Sequence, residues 1–199
     1  MQQIIVIGGG TTFSDYEYYL QFLANKPVYI ERLTYQPMWK ELLQQNLGDG
    51  YQVISPRMPN TTNAKYAEWK LWLQNISQLA ADNCILVGHS LGAIFLAKFL
   101  SENEFPTKIR ATILVAAPYN DETDEDLTDF KLTGISDRFN KQAGNVIFYT
   151  GSDDPVVAPT ELEKYRTALP SAEFNILPAP DHFARADFPE IVARIKSLD

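Results

Sequence analysis

The stretch LVGHSLGAIF, residues 86–95, sets one serine between two glycines. Gly88, His89, Ser90, Leu91 and Gly92 separate one apolar run from a second. A sharp strand-to-helix turn forces its central residue into a strained backbone conformation and crowds the positions two before and two after it. A Cβ at either position would collide, so both want glycine, and Gly88 and Gly92 meet that demand. Such a turn lifts the Ser90 hydroxyl to the start of a helix, whose partial positive end favours developing negative charge. In a chain of this composition, chance supplies only about 0.02 patterns of the form Gly-x-Ser-x-Gly. The chemistry on offer is attack by an activated hydroxyl.

A serine hydroxyl needs a base, and the chain has two histidines, His89 and His182. His89 directly precedes the serine, and successive side chains on a sharp turn diverge, so it is expected to point away and hydrogen-bond locally. His182, in PAPDHF, is the expected base. The base in turn needs an acid to orient it. GSDDPVV, residues 151–157, offers Asp153 and Asp154, and 28 residues separate Asp154 from His182. That is about one strand–helix–strand unit of ~30 residues, which sets the two groups on neighbouring strand tips. Asp181 is too close along the chain to orient its neighbour's ring. An oxyanion formed at the serine needs donors. The Leu91 backbone N–H is the first, and Gly8-Gly9-Gly10-Thr11 offers the N–H of Gly10 or of Thr11 as the second. As a phosphate cradle this loop lacks both the GxGxxG spacing and a GK[ST].

Positioning such groups requires a platform. Short β-branched runs at 4–7, 52–55, 85–87, 112–115, 146–149 and 173–177 predict strands. Stretches of helical length at 14–24, 38–47, 64–82, 91–103, 158–169 and 184–197 alternate with them. Little polar alternation within the strands means both faces are covered, and strand–helix repetition means a mostly parallel, doubly wound α/β sheet. Ligands on such sheets bind beyond the C-terminal strand ends, where all the candidate residues fall. Residues 25–37, with two prolines, and residues 119–142, a loop or small cap, interrupt the rhythm. Neither is long enough for a second domain, so one domain spanning 1–199 is expected.

GHSLG at 88–92, GSDDPVV at 151–157 and PAPDHF at 178–183, together with IVIGGG at 5–10, resemble the α/β-hydrolase superfamily. The order serine, aspartate, histidine is that of the superfamily, and the match spans nearly the whole chain. The short length resembles its small, nearly lidless serine hydrolases, including the retinoblastoma-binding-protein-9-like group. Many relatives carry His-Gly after the first strand, whereas Gly8-Gly9 stands here. The resemblance implies six strands in the order 2-1-3-4-5-6 and favours Asp154, just before Pro155, over Asp153. It also implies hydrolysis of an ester, thioester or amide through an acyl-serine. Acyl transfer, peptide cleavage, or an inert fold used for binding are the alternatives.

The remaining features narrow the class. A net charge of −8 argues against nucleic acid or anionic membranes as partners. No apolar run approaches the ~20 residues of a membrane span, and the N-terminus reads as a strand rather than a leader. One cysteine, Cys84, excludes an internal disulfide, fits a buried position and suits a reducing, cytoplasmic setting. Two histidines and one cysteine make a metal centre improbable, and no cofactor is implied. A small acyl substrate is the expected partner, and the oligomeric state is open. Asp121, Glu122, Asp124, Glu125, Asp126 and Asp129 read as solvated surface. Trp69 and Trp72, three apart, read as helix core, and Arg57 and Met58 as candidates for the crevice edge.

Overall fold

Each of the six β-branched runs becomes a strand in the computed structural model, whose described residues are 1–120 and 126–198. They are β1 (Gln2–Ile7), β2 (Tyr51–Ile54), β3 (Cys84–His89), β4 (Ile109–Val115), β5 (Asn145–Gly151) and β6 (Glu173–Leu177). Every pairing is parallel, and the order is β2-β1-β3-β4-β5-β6. This is the α/β-hydrolase arrangement.

Alternation along the strands divides the core into two layers. On one face Ile5, Ile7, Leu86, Leu114 and Phe148 meet Trp69, Phe95 and Tyr165. These come from helices α4 (Tyr66–Ser77), α5 (Leu91–Glu102) and α7 (Pro159–Ala168). On the other face Ile4, Val6, Val87, Ile113 and Tyr149 meet Trp39, Leu43 and Ile191 of α3 (Trp39–Leu47) and α8 (Pro189–Lys196). Both faces being covered, β3 is buried at every position, as the unbroken apolar run CILV predicts. Helix α3, which leads from β1 into β2, lies on the opposite face from α5, which follows β3. The sheet therefore reverses its winding between those two strands, which is where a crevice opens.

Several predicted boundaries shift. Helix α1 (Tyr16–Asn25) starts after Asp15, whose carboxylate caps it by accepting the Tyr18 N–H. The predicted helix 64–82 stops at Ser77, and the predicted helix 184–197 begins only at Pro189, a residue suited to a first turn. Three short pieces escape the periodicity: α2 (Ile30–Leu33), a 3₁₀ turn (Thr128–Phe130) and α6 (Asp137–Gln142). The described part of 119–142 buries Phe130, Leu132 and Phe139 in the core beside α5. Trp69 is a core residue, but Trp72 is 42% exposed, its indole N–H donating to the Arg57 carbonyl. Arg57 itself is exposed and Met58 is buried in the core. Of the acidic run, Asp121, Glu122, Asp124 and Glu125 lie outside the described residues, whereas Asp126 accepts the N–H groups of Ser14 and Thr128.

Candidate active site

Ser90 sits at the N-terminus of α5 with φ 56° and ψ −123°, a backbone conformation that L-residues rarely adopt. The turn is held from both sides. The Ser90 N–H donates to the Val115 carbonyl at 2.9 Å, and the Ser90 carbonyl accepts from Ala93 at 2.8 Å. A Cβ on Gly88 would stand 2.6 Å from Ala93 Cα, and one on Gly92 would strike the carbonyl oxygens of Ile7 and Gly8. The helix thus lies directly against β1, and the hydroxyl is left partly exposed.

His182 and Asp154 complete a hydrogen-bonded line with Ser90. The Ser90 Oγ lies 2.9 Å from His182 Nε2, and His182 Nδ1 lies 2.9 and 2.8 Å from the two Asp154 oxygens. A carboxylate only accepts, so Nδ1 carries the proton and Nε2 is left to accept from the serine hydroxyl. The Asp154 side chain is fully buried, which raises its pKa, but the His182 N–H and the backbone N–H groups of Val156 and Val157 outweigh burial. The carboxyl is held below its usual range. The structure brings Asp154, not Asp153, to His182. Asp153 accepts the Ala179 N–H at 2.6 Å and so ties the β5 loop to the β6 loop. Asp181 faces away, paired with Arg185 at 2.5 Å.

The β6 tip lies three strands from β3, roughly 14 Å at ~4.8 Å per strand, so the loop after β6 must cross back to deliver His182. Two elements hold it there. His89 points away from the Ser90 hydroxyl, and its Nε2 donates to the His182 carbonyl at 2.9 Å. Trp39, at the start of α3, donates its indole N–H to the Phe183 carbonyl at 3.0 Å and its backbone N–H to Arg185 at 2.8 Å. Lys40 Nζ lies 3.1 Å from His89 Nδ1. Burial, followed by the Lys40 charge, pushes the His89 pKa down to about 3, so the ring is neutral. Sequence reasoning missed Trp39 and Lys40. Nothing in WKELL signals contacts with residues 49 and 144 positions away.

The loop after β1 closes the other side. A Cβ on Gly9 would lie 3.2 Å from Ser90 Cβ and 3.7 Å from Ser90 Oγ, so the chain passes close over the serine. Of the two candidate donors there, the Thr11 N–H is already bound to the Thr61 carbonyl at 2.8 Å. That removes Thr11 and leaves Gly10. Leu91 is the first residue of α5, where a backbone N–H has no intrahelical acceptor.

A family model for serine hydrolases matches residues 35–188, well over half of the chain. The chain belongs to the serine hydrolase family. Among solved structures, the ydeN gene product of B. subtilis superposes on this serine hydrolase with TM-score 0.77 and 17% identity, covering 100% of this chain and 98% of its own. RedJ, a thioesterase from the prodiginine pathway of Streptomyces coelicolor, gives 0.56 and 16%, covering 100% and 90%. The methylesterase MES16 of Arabidopsis gives 0.56 and 14%, covering 99% and 98%. At these identities the likeness is one of fold. No curated protein matches the chain. Burial pushes the Cys84 thiol of this serine hydrolase up to about 11, which leaves it protonated and unreactive at neutral pH. Among the described residues no group of three His, Cys, Asp or Glu side chains is placed to hold a metal, and no helix is long and apolar enough to cross a membrane.

Proposed function

We propose that this protein hydrolyses a carboxylic ester or thioester through an acyl-Ser90 intermediate. His182 Nε2 takes the Ser90 proton as Oγ bonds to the acyl carbon, and the carbonyl electron pair moves onto oxygen. The N–H groups of Leu91 and Gly10 stabilise that oxyanion. As it collapses, the bond to the alcohol or thiol breaks and His182 hands its proton to the leaving group. Water then repeats the sequence against acyl-Ser90, releasing the acid and restoring the serine. Asp154 keeps the imidazole in the required tautomer throughout.

The observation that supports this reading is the continuous line from Ser90 Oγ through His182 to Asp154, with every link at 2.8–2.9 Å. Two fold neighbours carry thioesterase or methylesterase in their names, which favours oxygen and sulfur esters over amides. The purified protein is expected to take a fluorophosphonate label and to hydrolyse short p-nitrophenyl esters, and Ser90→Ala abolishes both. Labelling and turnover that persist in Ser90→Ala, or a wild-type protein showing neither, would remove the proposal. A series of acyl chain lengths then defines the substrate.

A further inference from the structure

We propose that Lys40 is a positioning residue for His182 and acts through His89. The inference rests on the reading of Ser90 and His182 as nucleophile and base.

His182 and Phe183 carry φ of 56° and 55°, two successive left-handed residues without a glycine. Such residues are strained and persist only where their surroundings over-determine them. The bond closest to the chemistry is the one His89 makes to the His182 carbonyl. A neutral imidazole donates from one nitrogen only. Nε2 faces a carbonyl and must carry the proton, so Nδ1 is a buried lone pair that needs a donor. The Lys40 amine, 3.1 Å away, is that donor, and it makes a proton on Nδ1 unfavourable. The ring is thereby locked in the tautomer that grips the His182 carbonyl.

The position of Lys40 argues against a merely structural role. Its amine is placed on His89 Nδ1, and burial, opposed only in part by the Glu41 charge, holds its pKa below the usual lysine range. Its side chain runs inward from the start of α3 to a point 4.0 Å from where a Cβ on Gly8 would sit, beside the loop that passes over Ser90. Turning an amine inward with no carboxylate among the described residues in hydrogen-bond contact sacrifices hydration, and the bond to His89 is what it gains.

Lys40→Met keeps the stem and removes the donor. Turnover is measured per fluorophosphonate-titrated Ser90, so that loss of folded protein does not count. The expected result is a kcat lowered about tenfold with KM within about twofold of wild type. In parallel, nitrogen NMR of wild-type His89 is expected to show a protonated Nε2 and a bare Nδ1, with the two tautomers mixing in Lys40→Met. A kcat per titrated site equal to wild type would overturn the proposal, because a purely structural lysine would change only the number of sites. A wild-type His89 protonated on Nδ1 would overturn it without any variant. A wild-type protein that takes no label at Ser90 sinks the reading beneath it, whereas a labelled wild type with an unimpaired Lys40→Met sinks this inference alone.

Discussion

Asp153 and Asp154 are neighbours in sequence and do different work. Asp154 is buried against His182, while Asp153 bonds the Ala179 N–H from an exposed position. Asp154→Asn preserves shape but offers an amide N–H₂ to Nδ1 in one orientation and cannot carry the compensating charge. On the proposed mechanism kcat should fall on the order of 10³–10⁴-fold. Asp153→Ala should leave kcat close to wild type and remove about 1 kcal/mol of stability with its loop bond. Steady-state kinetics and urea midpoints separate the two, and a reversed pattern would mean that the acid has been misassigned. The spacing of 28 residues to His182 could not choose between them. A shift of one residue turns a side chain to the opposite side of the loop, and the distance along the chain hardly changes.

The turn at Ser90 shows how an element places a residue. Sterics local to five residues dictate glycine at 88 and 92, and that much was legible from GHSLG. What the glycines touch was not. Gly92 lies against the carbonyls of Ile7 and Gly8, so α5, β1 and the loop over the serine form one close-packed unit. Gly92→Ala should cost about 1–3 kcal/mol, because strand or helix must move to admit the methyl. That movement also carries Gly9 and Gly10 away from Ser90, so fluorophosphonate labelling of the folded fraction should slow. A urea midpoint unchanged from wild type would mean that the helix tolerates more space than this contact allows. The same unit explains the loss of Thr11 as a donor. Its N–H donates to the Thr61 carbonyl and its own carbonyl accepts from Ala64, which joins the loop after β1 to residues 61–64, a contact that no local pattern announces.

Across the whole molecule, two groups of the site couple its integrity to acidity. Neutral His89 has a pKa near 3 in the fold against 6.5 when free, so below pH 6.5 the unfolded chain binds a proton that the native state refuses. Asp154 is likewise held below its ordinary 3.8, so in more acid solution the unfolded chain again takes up the proton first. In both cases the unfolded state binds more protons. Stability therefore rises with pH through these windows and is fully present above about 6.5. The melting temperature should fall as pH drops from 6.5 toward 3, and His89→Gln, which has nothing to protonate, should flatten the upper part of that fall. A wild-type profile that stays level between pH 6.5 and 4 would contradict the buried, neutral state of His89.

By itself the sequence determined what depends on short range. Unbroken apolar runs yield the six parallel strands, periodicity yields the six longer helices, and five residues define the turn at Ser90. Chain order and spacing brought His182 and an aspartate to adjacent strand tips. The tertiary structure decided the rest: which aspartate meets the ring, how a loop crosses from β6 back to β3, and that Trp39, Lys40 and His89 hold it there. The reason is distance along the chain. The bonds that fix His182 join residues 93 and 144 positions apart, and the one that supports His89 spans 49. Periodicity and turn sterics act over a few residues, whereas such contacts exist only once strand order and loop path have been set by packing.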